Sequence, residues 1–286
     1  MKAEPFALFQ ASVVPPGVTE AFFVSPPIPK RDVGGEMANM IEYPVFLHWS
    51  TGGILILLAG YWLDRCFGDP VYPFHPVRLI GQWIAFLDAI ADQVKWRSRV
   101  SGVLLVLLSC ALPLGGYAVL NRLCGGFPPL RYILDLGCVY TFLALGDLLH
   151  HGQQVAQALK IGDCQTARHW TGFMVSRDVD RMDEGAMVRA VVESIAENLN
   201  DGVIAPIFWF VLGGVPALIV FKVVSTLDSM VGYRDERYQH FGWASARLDD
   251  ILNFLPARMT YFLIALAAFI LPGYSWRSGL RTGWFQ

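Results

Sequence analysis

Charge is scarce in this chain. Only 16% of its 286 residues are Asp, Glu, Lys or Arg, against about a quarter in a typical soluble domain. With 54% hydrophobic residues and a mean hydropathy of +0.43, the deficit excludes an ordinary soluble fold and points to a membrane protein with several spans. An excess of positive charge is also missing: the formal net charge is -2, so bulk electrostatics give no footprint for nucleic acid. Cysteine is sparse and unpatterned. Cys66, Cys110, Cys124, Cys138 and Cys164 form no CxxC pair and no metal-ligand spacing, which reads as buried free thiols. The chain also lacks internal repeats, low-complexity tracts and a GxxxxGK[ST] phosphate loop.

Residues 1–40 stand apart from the rest. Pro5, Pro15, Pro16, Pro26, Pro27 and Pro29 interrupt them, no helical period develops, and no continuous apolar core precedes a small-residue cleavage site. The segment does not read as a secretory signal. It reads as a disordered extension, or as the product of a start site set upstream of Met37 and Met40. Residues 41–286 read as a single helical membrane domain.

Five apolar stretches are what the chain has in abundance: Gly52 to Phe67, Gly102 to Leu120, Leu130 to Leu149, Val203 to Val224 and Met259 to Leu271. A bilayer-spanning helix needs about 20 residues, so the second and third are full spans and the first and fifth are short. The fourth contains Pro206 and, at its middle, Gly213-Gly214-Val215-Pro216. Two half-helices in a re-entrant hairpin suit that interruption better than one kinked span, because broken backbone survives at membrane depth only inside protein or beside a cavity. Arginine and lysine cluster after the first stretch (Arg78, Lys95, Arg97, Arg99), after the third (Lys160, Arg168, Arg177, Arg181, Arg189) and after the fourth (Arg234, Arg237, Arg247, Arg258). A hairpin gathers all three clusters on one side, and their charge nominates the cytoplasm.

Against this apolar background the polar residues carry the chemistry. Arg189, Glu193, Glu197 and Asp201 recur every fourth residue, a spacing that stacks them in one line on a helix just before an apolar segment. Three carboxylates in line repel one another unless a cation sits among them, and hard oxygen donors suit magnesium together with phosphate oxygens. The alternative is a solvated face with Arg189 paired to Glu193. Asn198, Asn200 and Gly202 accompany the line. Asp64 lies inside the first apolar stretch, where an ionisable group is a site candidate by default. Gly68-Asp69-Pro70 then ends the helix, bringing Asp69, His75 and Arg78 to the membrane surface; Asp64 paired with Arg65 or Arg78 is the plain structural reading. Arg177-Asp178 fits a helix cap and ordinary pairing. Lys222 is followed by hydroxyls, Asp228 and Gly232, a set able to hold phosphate and metal, although Lys222 can also snorkel. Arg247, Asp250 and Asn253 share a helical face, with Asp249 adjacent to Asp250.

Taken in order, GDP and HPVR (Gly68 to Pro70, His75 to Arg78), RD (Arg177-Asp178), RAVVESIAENLNDGVIAPIFW (Arg189 to Trp209) and TLDSMVGYRDERYQHFGWASARLDDILNFLPAR (Thr226 to Arg258) resemble the CobD/CbiB family. These are the membrane adenosylcobinamide-phosphate synthases of cobalamin biosynthesis, and the similarity runs from about Tyr61 to Arg258. The resemblance implies an all-α polytopic protein of the inner cell membrane. It implies an ATP-dependent ligase joining aminopropanol or its O-phosphate to the free propionate of adenosylcobyric acid, with Mg2+, with ATP as substrate, and beside other enzymes of the pathway. On that view Glu193, Glu197, Asp201, Asp228 and Lys222 are catalytic candidates, the four acids being the metal candidates with Asp249 and Asp250 behind them. Asp64, Asp69, His75, Arg78, Arg177, Asp178, Arg189, Asn198, Arg237, Arg247, Asp250 and Asn253 are candidates for holding substrate or phosphate. Relatives continue past the fifth stretch into a Ser-Pro-Asn-Ala-Gly-type segment, so a chain stopping at Gln286 is expected to be shortened at its C-terminus. The rival readings are an AmpE-like membrane regulatory protein and a magnesium-dependent prenyl transferase; the second requires another DxxxD-like motif, which Asp178 to Asp183 does not convincingly supply.

Overall fold

A computed structural model of the protein describes residues 51–69, 72–175 and 177–271; the expectations for residues 1–40 and for the C-terminal end lie outside them. All regular secondary structure among the described residues is helical. The α-helices are α1 (Thr51–Phe67), α2 (Pro76–Gln93), α3 (Arg99–Leu123), α4 (Pro128–Phe142), α5 (Leu145–Lys160), α6 (Cys164–Met174), α7 (Glu184–Leu199), α8 (Ala205–Val231) and α9 (Trp243–Ile270). A π-helical turn, Asn200–Ile204, joins α7 to α8. Four helical segments are long and apolar enough to cross a membrane: Arg99–Gly126, Pro128–Lys160, Glu184–Val231 and Trp243–Ile270. The fifth apolar stretch is the second half of α9, so the polar residues Arg247 to Asn253 ride on the same 28-residue helix. Local sequence explains many of the ends. Pro76 opens α2 at a position where its missing N–H costs nothing. Ser98 and Ser101 cap α3 reciprocally, each backbone N–H donating to the other's hydroxyl at 3.2 and 2.8 Å.

The fourth apolar stretch folds back on itself. Backbone dihedrals leave the helix at Gly213 and Gly214, and Gly214 has φ +64, a region costly for any residue with a Cβ. In a straight helix Asp201 and Asp228 would be roughly 40 Å apart at about 1.5 Å per residue. Instead each lies within electrostatic reach of the other, and Lys222 is close to Asp201. The Gly-Gly break therefore makes a hairpin whose returning limb is the axis of the bundle. Val215, Leu218, Ile219, Val223, Leu227 and Val231 form the core together with Ile80 and Ile84 of α2, Leu105 and Val106 of α3, and Val139 and Phe142 of α4. Outward-facing Leu55, Leu107, Leu112, Ile133, Phe262 and Phe269 remain exposed, as a lipid-facing surface requires.

The third apolar stretch is not the straight span that its hydrophobicity predicts. Leu143 and Ala144 leave helical geometry and separate α4 from α5. The backbone N–H groups freed there are satisfied from elsewhere: Ala144 donates to the Gly202 carbonyl at 3.0 Å, and Leu145 and Gly146 donate to Asp64 Oδ2 at 2.7 and 3.2 Å. The break persists because other elements take up its polar groups. The five cysteines are free, as expected, but only Cys124 is buried and Cys66 faces outward.

Candidate functional site

The site begins where α1 ends. Asp64 is fully buried and holds the first turn of α5 through Oδ2, while its Oδ1 has no hydrogen-bond partner among the described residues. It pairs with neither Arg65 nor Arg78. The turn after α1 is tied down by Tyr140, whose hydroxyl donates to the Gly68 carbonyl at 2.9 Å, and by Asp147 Oδ1, which accepts from the Asp69 amide at 3.2 Å. Asp69 Oδ1 stands 2.7 Å from His75 Nε2, and His75 is 2% exposed. Arg78 and Lys222 both lie within electrostatic reach of this pair.

The second part of the site comes from the hairpin and α9. Asn200, buried in the π-turn, donates from Nδ2 to Asp201 Oδ1 at 2.7 Å and to Asn253 Oδ1 at 2.9 Å, and its own Oδ1 accepts from Thr260 at 3.0 Å. Asn253 in turn donates to Asp249 Oδ2 at 3.0 Å. This chain of amides locks the mouth of the hairpin to α9, so that Asp201, Asp228, Asp249 and Asp250 share one electrostatic neighbourhood. Lys222 joins the two parts, lying within reach of Asp201 on one side and of Asp69 and Asp64 on the other.

Several sequence candidates are not brought to this centre. Glu193 is tied to Arg177 at 2.8 Å, both side chains exposed, so the line through Arg189, Glu193, Glu197 and Asp201 does not act as a unit. The π-turn carries Asp201 inward, within reach of Glu197, while Arg189 and Glu197 stay on the exposed surface of α7. Asn198 bonds locally to Ser194 at 2.8 Å, and Asp178 closes its own turn by accepting from the Asp180 amide at 2.9 Å. Arg247 pairs with Asp250 at 3.4 Å on the surface of α9. Arg237 leaves the site altogether: it binds Asp92 and Asp88 of α2 at 2.6 and 3.1 Å, carboxylates that Arg97 also holds at 2.6 and 2.8 Å. That network fastens the α8–α9 connection to the α2–α3 connection, as a returning hairpin demands. Two site residues escaped sequence reasoning. Asp147 lies in the third apolar stretch and meets the very criterion that nominated Asp64; Thr260 carries no comparable signal.

Burial draws the His75 imidazole below its ordinary value; Arg78 and Lys222 act in the same direction, and Asp69 and Asp147 oppose it. Burial likewise raises Asp69. Between the lowered native value and the ordinary one near 6.5, the unfolded chain binds a proton that the native protein refuses, so His75 makes stability fall as pH drops below about 6.5. Thermal unfolding of the detergent-solubilised protein between pH 7.5 and 5 should show that decline, and His75→Gln should flatten it. An unchanged slope in the variant would assign the titration to another group.

Comparisons with known proteins identify the family. A family model described as CobD/Cbib protein matches residues 57–283. A protein of Geobacter metallireducens named "Cobalamin biosynthesis protein CobD" is 42% identical over 233 residues, covering 80% of this chain and 73% of the relative. Proteins of the same name from Klebsiella pneumoniae subsp. pneumoniae and Clostridium perfringens are 39% and 38% identical, over 81% and 75% of this chain and 73% and 69% of theirs. No solved structure matches.

Proposed function

The chain belongs to the CobD/CbiB family of cobalamin biosynthesis, and from that premise we propose that it is an ATP-dependent ligase. It attaches aminopropanol or its O-phosphate to the free propionate of adenosylcobyric acid, giving adenosylcobinamide or its phosphate. The observation that carries this reading is the placement of Lys222 within reach of carboxylates from α1, the following turn and the π-turn. A carboxylate is a poor electrophile; ATP converts it to an acyl phosphate, and the amine displaces phosphate as the amide forms. Such a reaction gathers phosphates, a carboxylate and an amine at one point, and needs opposite charges held close together in a low-dielectric pocket.

Magnesium fits the hairpin–α9 side. The donors there are all hard oxygens, and Asp249 Oδ1 is buried without a hydrogen-bond partner among the described residues. No three of the described His, Cys, Asp or Glu residues are grouped closely enough to hold a metal ion by themselves, which suits an ion that takes one or two carboxylates and completes its shell with phosphate and water. One or two of Asp201, Asp228 and Asp249 would hold it, and Glu193, tied to Arg177, and the exposed Glu197 are withdrawn from that role. When bound, the ion would neutralise phosphate charge. Lys222 orients the anionic groups from the opposite side, and the Asn200–Asn253 pair fixes the spacing between hairpin and α9.

The test is nutritional. In a host that makes cobalamin de novo and lacks its own copy of this gene, cobinamide should restore growth and cobyric acid should not, and expression of this chain should remove the requirement. Rescue by cobyric acid would refute the ligase reading.

A further inference from the structure

Five aromatic rings meet where α5 packs on α6: His150 and His151 from the first helix, His169, Trp170 and Phe173 from the second. Trp170 stands at their centre, its ring centroid 5.6 Å from those of His150, His151 and Phe173 and 5.8 Å from that of His169. None of the five is buried, and Phe173 is 62% exposed, so the rings form an open wall. One imidazole in it is fixed. His151 Nδ1 lies 2.8 Å from the Asp147 carbonyl oxygen; a carbonyl only accepts, so Nδ1 carries the proton and donates. The lone pair of the neutral ring is then on Nε2, which makes no hydrogen bond among the described residues. A ring oriented through one nitrogen by a backbone carbonyl, with the other left to bind, is the arrangement of a metal-ligating histidine.

Asp147 also connects this ring to the site. Its carboxylate accepts from the Asp69 amide while its carbonyl holds His151, four residues on along the same face of α5. Among the described residues no three His, Cys, Asp or Glu could together hold a bare metal ion. A cobalt corrin needs no such set, because its macrocycle already supplies four nitrogens. We propose that His151 Nε2 is the axial ligand to the cobalt of the corrinoid substrate, with Trp170 and Phe173 beside it against the face of the macrocycle. This assignment rests on the ligase reading and deepens it. The corrinoid at this stage carries adenosyl on one axial face and, having no nucleotide base, water on the other. The cobalt–water bond breaks as the bond to Nε2 forms, water leaves, and the cobalt remains trivalent. His169 also lines a cleft with Gln165, Arg168 and Asp180, whose polar ends suit the amides on the rim of the ring.

The experiment is absorption spectroscopy, in the dark, of adenosylcobyric acid titrated with the full detergent-solubilised chain, without ATP or amine. Equilibrium dialysis measures the bound corrinoid in parallel. The chain should shift the long-wavelength corrin band to the red, as an excess of free imidazole does. The shift should fade as pH falls, because a proton competes for the same lone pair. His151→Ala should abolish it, and added imidazole should restore it. His151→Gln keeps a polar side chain but no imidazole, and should lose the shift as well; His150→Ala, on the neighbouring exposed ring, should keep it. Corrinoid bound without a shift, or a shift that survives both His151 variants, would overturn the assignment and leave the ligase reading intact. No binding of the corrinoid at all would overturn both.

Discussion

Replacing Lys222 with methionine is expected to lower amide formation by about 10²–10³-fold, the scale seen when one preorganised electrostatic group is lost from an active site, with the protein still inserted in the membrane. Methionine matches the length of the lysine stem and suits the apolar core beside it, so the change isolates the charge. Lys222 stands on the returning limb of the hairpin, within electrostatic reach of Asp201, Asp69 and Asp64. Without its ammonium those carboxylates face one another uncompensated, and the negative substrate groups meet them unshielded. Turnover by membrane fractions, normalised to inserted protein, is the measurement. Activity within tenfold of the natural chain would remove Lys222 from the chemistry and leave it a structural counter-ion.

The second large effect is on folding. A Cβ at Gly146 would collide with the Asp64 carbonyl oxygen and come within 2.7 Å of the Gly68 Cα. Both obstacles are backbone, so neither can swing away. Gly146→Ala should therefore push the start of α5 off the end of α1, lose the two bonds to Asp64 Oδ2, and destabilise by about 2–4 kcal/mol. Gly137→Ala is the matched control: nothing lies within 4 Å of a Cβ there, and alanine favours the helix by up to about 1 kcal/mol. Comparing unfolding midpoints of the two variants decides the matter. Equal midpoints would mean that the close approach of α1 and α5 contributes nothing.

How far the sequence could be read varies by element, for physical reasons. The fold-back in α8 was legible because Gly213, Gly214 and Pro216 are residues that break helices by their own geometry. The equally deep break between α4 and α5 was not: Phe142-Leu143-Ala144-Leu145 contains no breaker, and what holds the helices apart is a carboxylate far away in sequence. The fourfold spacing from Arg189 to Asp201 predicted a single charged line. A widened turn at Asn200 ended it, and wide turns have no simple residue signature. The pairing of Arg237 was not legible, because its partners, Asp88 and Asp92, lie far off along the chain. Asp64, Asp69, His75, Asp201, Asp228 and Lys222 were legible for a common reason: charge at an apolar boundary is expensive, and it stands out against so hydrophobic a sequence.

The hydrogen bond from Ala144 to Gly202 has a consequence for biogenesis. Until Gly202 has been synthesised, that amide has no such acceptor in the chain. The junction between α4 and α5 therefore reaches its described geometry only once the hairpin is in place.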